Sequence, residues 1–317
     1  MTVAVLFLAV CCVAYTNGAN ANFKGVASLY GSGTTTLRTA ALWGTATTFA
    51  GSVAALFLAS QLLSSFGGRG IVADDVAASR EFLCAVALGA AATSFLATRF
   101  GFPVSTTHAL VGALVGAGLA GGGDVRLAAL GKLFLYPLFF SPVVAAGLGA
   151  VVYLLLRAAR LAPDHRTPLL DGLHVLSAGA ASFARGLNDT PKIVAPMLVV
   201  PGLEVHWAFL IVAAAIALGG VLDIRNVAET LGKKVTGMDP GQGFAACLVT
   251  SGLVTTASLH GLPVSTTHVS VGSLLGMGAA TGRVHWRKVG EILLAWVSTV
   301  PCGAALAALA YAAVRAL

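Results

Sequence analysis

Eight residues occur twice in this chain. Gly101-Phe102-Pro103-Val104-Ser105-Thr106-Thr107-His108 returns as Gly261-Leu262-Pro263-Val264-Ser265-Thr266-Thr267-His268, 160 residues further on. Only the second position differs, and a glycine follows four residues after each histidine, at Gly112 and Gly272. A repeat at half the chain length makes the folding unit a copy, so whatever the motif does is done twice. A second pair aligns upstream without gaps. Gly18-Ala19-Asn20-Ala21-Asn22-Phe23-Lys24 meets Gly186-Leu187-Asn188-Asp189-Thr190-Pro191-Lys192, with Asn20 against Asn188 and Lys24 against Lys192. The copies divide the chain into residues 1–160 and 161–317.

Composition identifies the solvent. Charged residues make up 10% of the chain and apolar ones 57%, with a mean hydropathy of +0.88. A soluble domain carries about 25% charged residues, so most of this surface must face lipid. The net charge of +7 comes from basic residues in short loops between apolar segments. That pattern follows the positive-inside rule and argues against a nucleic-acid partner. Cys11, Cys12, Cys84, Cys247 and Cys302 lie in apolar stretches without metal-ligand spacing and read as small core residues. No cofactor is expected. The first 16 residues lack a basic start and run straight into a repeated motif, so they are expected to belong to the mature fold.

A crossing helix needs about 20 apolar residues. Apolar runs fall near 2–36 (interrupted), 40–63, 82–100, 104–120 and 132–156, then 168–201 (interrupted), 206–222, 243–259, 262–280 and 289–316. The expected fold is therefore an all-α, multi-pass membrane protein of about five plus five segments, some of them broken or re-entrant. An odd number per copy inserts the second half upside down. Loop charge agrees. Residues 64–81 hold Asp74, Asp75 and Glu81 against Arg69 and Arg80, whereas 223–242 carry Arg225, Lys233 and Lys234. Arg157, Arg160 and Arg166 lie between the halves, and Arg283, Arg287 and Lys288 in the last loop. Placing the basic loops in the cytoplasm of a cell membrane puts both termini outside. Large apolar faces suit a homodimer as well as the lipid bilayer.

In each octapeptide the proline suits a first helical turn and the hydroxyls can cap free N–H groups. A helix start carries unpaired donors and about half a positive charge, which favours an anion. Two such starts meeting from opposite sides would surround a tetrahedral oxyanion with the hydroxyls of Ser105, Thr106, Thr107, Ser265, Thr266 and Thr267. His108 and His268 could contact substrate, relay a proton or hold the loop. Asn20, Asn22, Asn188 and Asp189 fall where the apolar runs are interrupted, and supply the hard oxygens that an alkali cation uses in such folds. Asp189 is a functional candidate by its position alone. Lys24 and Lys192 could snorkel, balance substrate charge, or place an ammonium where a cation would otherwise sit.

At these residues the chain resembles the inorganic phosphate transporter (PiT) family, over nearly its whole length. The doubled Pro-Val-Ser-Thr-Thr-His and the motif upstream of each copy carry the resemblance. It implies an inverted-repeat symporter that moves inorganic phosphate with sodium or protons by alternating access. By resemblance, Ser105, Thr106, Thr107, Ser265, Thr266 and Thr267 bind phosphate, while Asn20, Asn188 and Asp189 bind the coupling cation, sodium in many members. The family pattern reads Gly-Ala-Asn-Asp-Val-Ala-Asn. This chain has Ala21 in place of the aspartate and lysine at the last position of both copies. One carboxylate is thus missing, which opens the way to proton coupling or a single cation site. Three other readings stand beside this one. Sulfate has the same shape but no proton to donate, an uncoupled channel would need no gated core, and a hydrolase would need a carboxylate near its serine and histidine. The last requirement is unmet, and no enzyme is expected.

Overall fold

The computed structural model describes residues 2–66, 68, 70–162, 165–234 and 238–316. Arg69 lies outside these residues, as do the side chains of Lys233 and Lys234. Ten long helices carry the described chain. In the first half they are α1 (Thr2–Ala21), α2 (Leu37–Leu58), α3 (Arg80–Arg99), α4 (Thr106–Ala120) and α5 (Tyr136–Ala158). The second half supplies α6 (Pro168–Val194), α7 (Val205–Leu222), α8 (Pro240–Leu259), α9 (Thr266–Thr281) and α10 (Trp286–Arg315). Seven helical segments among the described residues are long and apolar enough to cross a bilayer. At 1.5 Å per residue, α4 and α9 span only about 23 Å, short of the ~30 Å hydrocarbon core. Phe57, Phe139, Val297 and Leu309 point outward from the bundle, as side chains solvated by lipid do.

Packing partners are exchanged between the halves. Helix α1 packs on α3 of its own half and α7 of the other; α6 packs on α8 and α2. Helix α4 packs on α10, and α9 packs on α5. The last two contacts explain the glycines that follow the octapeptides. A Cβ on Gly112 or Gly116 would overlap the α10 backbone at Val300 or Ala304. One on Gly272 or Gly276 would overlap α5 at Pro142 or Ala146. In lipid, helices associate through this kind of close backbone approach rather than through hydrophobic expulsion.

Each octapeptide begins with a left-handed residue, Gly101 at φ 71° and Gly261 at φ 66°. The amide of Phe102 reaches back to Ala97 O at 2.9 Å, and that of Leu262 to Ala257 O at 2.8 Å. These closures end α3 and α8 in the manner expected of a C-terminal glycine, then release an extended Pro-Val-Ser into the next helix. Ser105 and Ser265 cap α4 and α9 by accepting the amides of His108 and His268, both at 3.2 Å.

One expectation is corrected. The first run breaks where the motif lies, with α1 passing into a 3-10 turn at Asn22–Gly25. The second does not break there. Helix α6 runs unbroken through Asn188, Asp189 and Lys192, and tightens into a 3-10 turn only at Ala195–Val199. Here Asn188 and Lys192 lie one turn apart and bond side chain to side chain, so the polar residues are accommodated on one helix face without unwinding.

Loops that come together define two ends of the bundle. Arg166 bonds the carbonyls of Gly33 and Thr34, Arg283 pairs with Asp239 at 3.7 Å, and Arg157 lies near both Asp239 and Arg283. At the other end, Arg126 N bonds Ile71 O, and Ala120 adjoins Tyr311 and Arg315.

A larger residue at the α4–α10 contact should be costly. Gly116→Val is expected to destabilise by about 1–3 kcal/mol through overpacking, seen as a fall in Tm of the detergent-solubilised protein. Gly147→Ala, whose Cβ would enter open space in α5, should leave Tm unchanged or raise it.

Candidate functional site

The two octapeptides meet in the centre of the bundle. The Thr107 hydroxyl of α4 donates to Val264 O at 3.4 Å, and the Thr267 hydroxyl of α9 donates to Val104 O at 2.9 Å. Each helix start is thus held against the extended segment of the other half. Ser105, Thr106, Thr107, Ser265, Thr266 and Thr267 are all buried. The Thr106, Thr107, Thr266 and Thr267 amides belong to first turns and have no carbonyl within their helix to bond. All six hydroxyl residues assigned to an oxyanion from sequence are brought to this junction.

A charged cluster closes the junction. Asp189 Oδ2 accepts from Asn17 Nδ2 at 3.2 Å and from the Thr266 hydroxyl at 3.4 Å, and lies 3.5 Å from Arg185 Nη1. Its Oδ1 lies 3.6 Å from Lys192 Nζ. Asn17 also donates to Thr106 Oγ1 at 2.8 Å, which links the carboxylate to both helix starts. Arg185 spreads its guanidinium over Asn17 Oδ1 and Asn22 Oδ1, the latter at 2.6 Å. Arg185 and Lys192 flank this carboxylate and Lys24 is buried as well, so the described buried residues carry a formal surplus of two positive charges. Charges at this depth persist only when paired or when they face a ligand of opposite sign.

The asparagines anticipated as cation ligands are otherwise engaged. Asn20 donates to Thr98 Oγ1 and Phe102 O and accepts Val104 N at 3.1 Å, fastening the first octapeptide to α1. Asn188 donates to Ser258, the counterpart of Thr98, at 2.8 Å and accepts from Lys192. Asn22 Oδ1 accepts from Arg185. His268 is buried with Nδ1 2.9 Å from Leu138 O, and stacks on Trp296 at 3.9 Å. His108 packs edge-on against it at 4.5 Å. This places the pair beside the junction, where His108 Nδ1 and His268 Nε2 are buried without a hydrogen-bond partner.

Arg185 and Asn17 are central to the site but are not among the residues that the sequence motifs single out. The signal was present: Arg185 is a full charge in an apolar run one turn before Asp189, and Asn17 stands opposite it when the upstream motifs are aligned.

A buried charged centre, ringed by helix starts inside a lipid-facing bundle, defines a membrane transporter. The chain belongs to the phosphate transporter family, whose profile matches residues 17–168 and 161–307. It is 35% identical over 263 residues to a probable low-affinity inorganic phosphate transporter of Rhizobium meliloti, covering 77% of each chain. It is 32% identical over 220 residues to the sulfate permease CysP of Bacillus subtilis, covering 67% of this chain and 61% of that one. A solved structure named the sodium-dependent phosphate transporter has the same fold, with TM-score 0.87 at 23% identity, over 100% of this chain and 99% of the other.

The donor set expected for sodium makes other contacts in this structure. Asn20 shares no hydrogen-bond partner with Asn188 or Asp189 among the described residues. The side-chain oxygens of Asn20 and Asn188 already accept N–H groups, and Asp189 is shared by two cationic side chains.

Removing the carboxylate should expose the cost of this cluster. Asp189→Asn leaves three buried cations unopposed and is expected to destabilise by about 3–5 kcal/mol, read as a loss of Tm relative to the parent protein.

Proposed function

We propose that the chain carries out cation-coupled symport of inorganic phosphate across the cell membrane by alternating access. The reading is carried by one observation: two hydroxyl-rich helix starts converge on a buried cluster with two surplus positive charges. A divalent tetrahedral oxyanion neutralises that surplus. The amides and hydroxyls of Ser105, Thr106, Thr107, Ser265, Thr266 and Thr267 would donate to its oxygens once Thr107, Thr266 and Thr267 release their present acceptors, with Arg185 supplying a forked charged donor. Phosphate keeps a P–O–H that needs an acceptor, and Asp189 is a carboxylate within bonding distance of Thr266 at the junction. A pocket beside the junction, lined by Lys24, Ser28, Thr250, Ser270 and Ser273, has a volume of about 10 Å³. Small-molecule sites more often reach ~300–1,000 Å³, so entry and exit would need the core to move. Exchanged contacts of α4 with α10 and α9 with α5 favour two inverted repeats rocking about the shared site. The end bearing Arg157, Arg166 and Arg283 would face the cytoplasm, with both termini outside.

A second reading keeps the mechanism and changes the anion. It is favoured by the relative named as a sulfate permease. Sulfate is a dianion of the same shape, and Asp189 facing it would repel rather than bond.

Labelled phosphate uptake into proteoliposomes, with sulfate as competitor and ion gradients varied independently, separates the readings. Uptake that follows one cation gradient and resists equimolar sulfate is expected. Block by equimolar sulfate would transfer the assignment to sulfate, and indifference to every gradient would mean an uncoupled pathway. Thr107→Val and Thr267→Val should each abolish uptake while leaving folded protein. Parental uptake in both would place the anion elsewhere.

A further inference from the structure

Lys24 and Lys192 obey one bonding rule. Lys24 Nζ donates to Val104 O and to Thr267 Oγ1, both at 2.6 Å. Lys192 Nζ donates to Val264 O at 2.8 Å and to Thr107 Oγ1 at 2.9 Å. Each ammonium therefore takes the carbonyl that precedes Ser-Thr-Thr in its own half and the last threonine hydroxyl of the other half. Lys192 adds Asn188 Oδ1, with Asp189 Oδ1 close by. Both nitrogens are buried, and each of these partners is an oxygen.

Backbone carbonyls, hydroxyls and amide oxygens are also what an alkali ion requires at a helix break. Here the ammonium reaches them first. At 2.6–2.9 Å there is no room for a second cation between nitrogen and oxygen, and one placed alongside would meet like charge at short range in a low dielectric. The tether also removes the entropy of collecting an ion from solution. With Arg185 and Asp189 the lysines leave the surplus of two positive charges, which a divalent oxyanion balances without any metal.

We propose that Lys24 and Lys192 are tethered cations standing where dissociable alkali ions would bind, so that this chain binds and carries its oxyanion without sodium. The inference rests on the reading of the junction as an oxyanion site, and it leaves protons as the coupling ion.

The test is phosphate binding to the purified full-length protein by calorimetry, with sodium replaced by choline at constant ionic strength, alongside Tm with and without sodium. The parent protein should bind phosphate with the same Kd within about twofold in both salts, since an ion that does not bind cannot couple. Sodium alone should not raise its Tm. Lys24→Asn, which restores the residue of the family pattern, and Lys192→Gln each empty one cation position. Their phosphate affinity should fall in choline and recover about tenfold in sodium, within the usual range of coupling. A tenfold loss of affinity in choline for the parent protein would overturn the proposal, as would folded variants that stay indifferent to sodium. Absence of phosphate binding in either salt would count against the proposed function instead. The sodium dependence of Tm would then still decide this inference, a rise in the parent protein refuting it.

Discussion

Three cations and one carboxylate are buried together in the middle of a bundle whose exterior is lipid-facing, and the rest of the architecture answers to that constraint. No water shell is available to solvate them, so the polypeptide must supply every partner. Asn17, Asn22 and Asn188, together with the four threonines of the octapeptides, do so through hydrogen bonds, and those of Lys24 with Thr267, Arg185 with Asn22 and Lys192 with Thr107 cross between the halves. Those partners come from α1, α4, α6, α9 and the turn after α1. Loss of one element would therefore strand charges held by the others, which ties the bundle together in a way that dispersion between apolar helices alone does not.

Geometry at the junction follows from small residues and helix ends. Gly101 and Gly261 allow α3 and α8 to stop, and Ser105 and Ser265 allow α4 and α9 to start. Gly112, Gly116, Gly272 and Gly276 then bring these short helices against α10 and α5 at backbone distance. A half-length helix is normally a liability in a membrane, because its exposed end has unsatisfied amides. Here both ends face each other inside protein, where the free amides become an asset for an anion.

The cluster also bears on selectivity and on energy coupling. A site with surplus positive charge attracts any tetrahedral dianion, and the relatives include proteins named for phosphate and for sulfate. Discrimination then falls to hydrogen-bond direction. In the proposed site Asp189 would accept a hydrogen bond from the P–O–H of phosphate and would repel sulfate. The lysines raise a different point. On the proposal above, Lys24 and Lys192 supply fixed charge where dissociable ions would otherwise bind, so that a shared fold would not carry the coupling ion with it.

Much of this was legible in the order of residues. The octapeptide repeat, the low charge and the lengths of the apolar runs specified ten apolar segments and a doubled helix-start motif, because hydropathy and helix-stop chemistry act over a few neighbouring residues. The resemblance to a phosphate transporter family rested on the same local motifs, and the family match agrees. What lay beyond reach was pairing at a distance. Nothing in local sequence says that Lys24 of one half reaches Thr267 of the other, or that Asn20 turns its amide onto Phe102 and Thr98 rather than toward an ion. Nor could it say that α6 would carry Asp189 without unwinding. Those outcomes depend on which side chains the folded bundle brings within hydrogen-bond range. The sequence by itself determined the elements, their doubling and the chemistry of each helix start; only the tertiary structure decided which charges meet, because a buried charge chooses its partner by proximity in space and not along the chain.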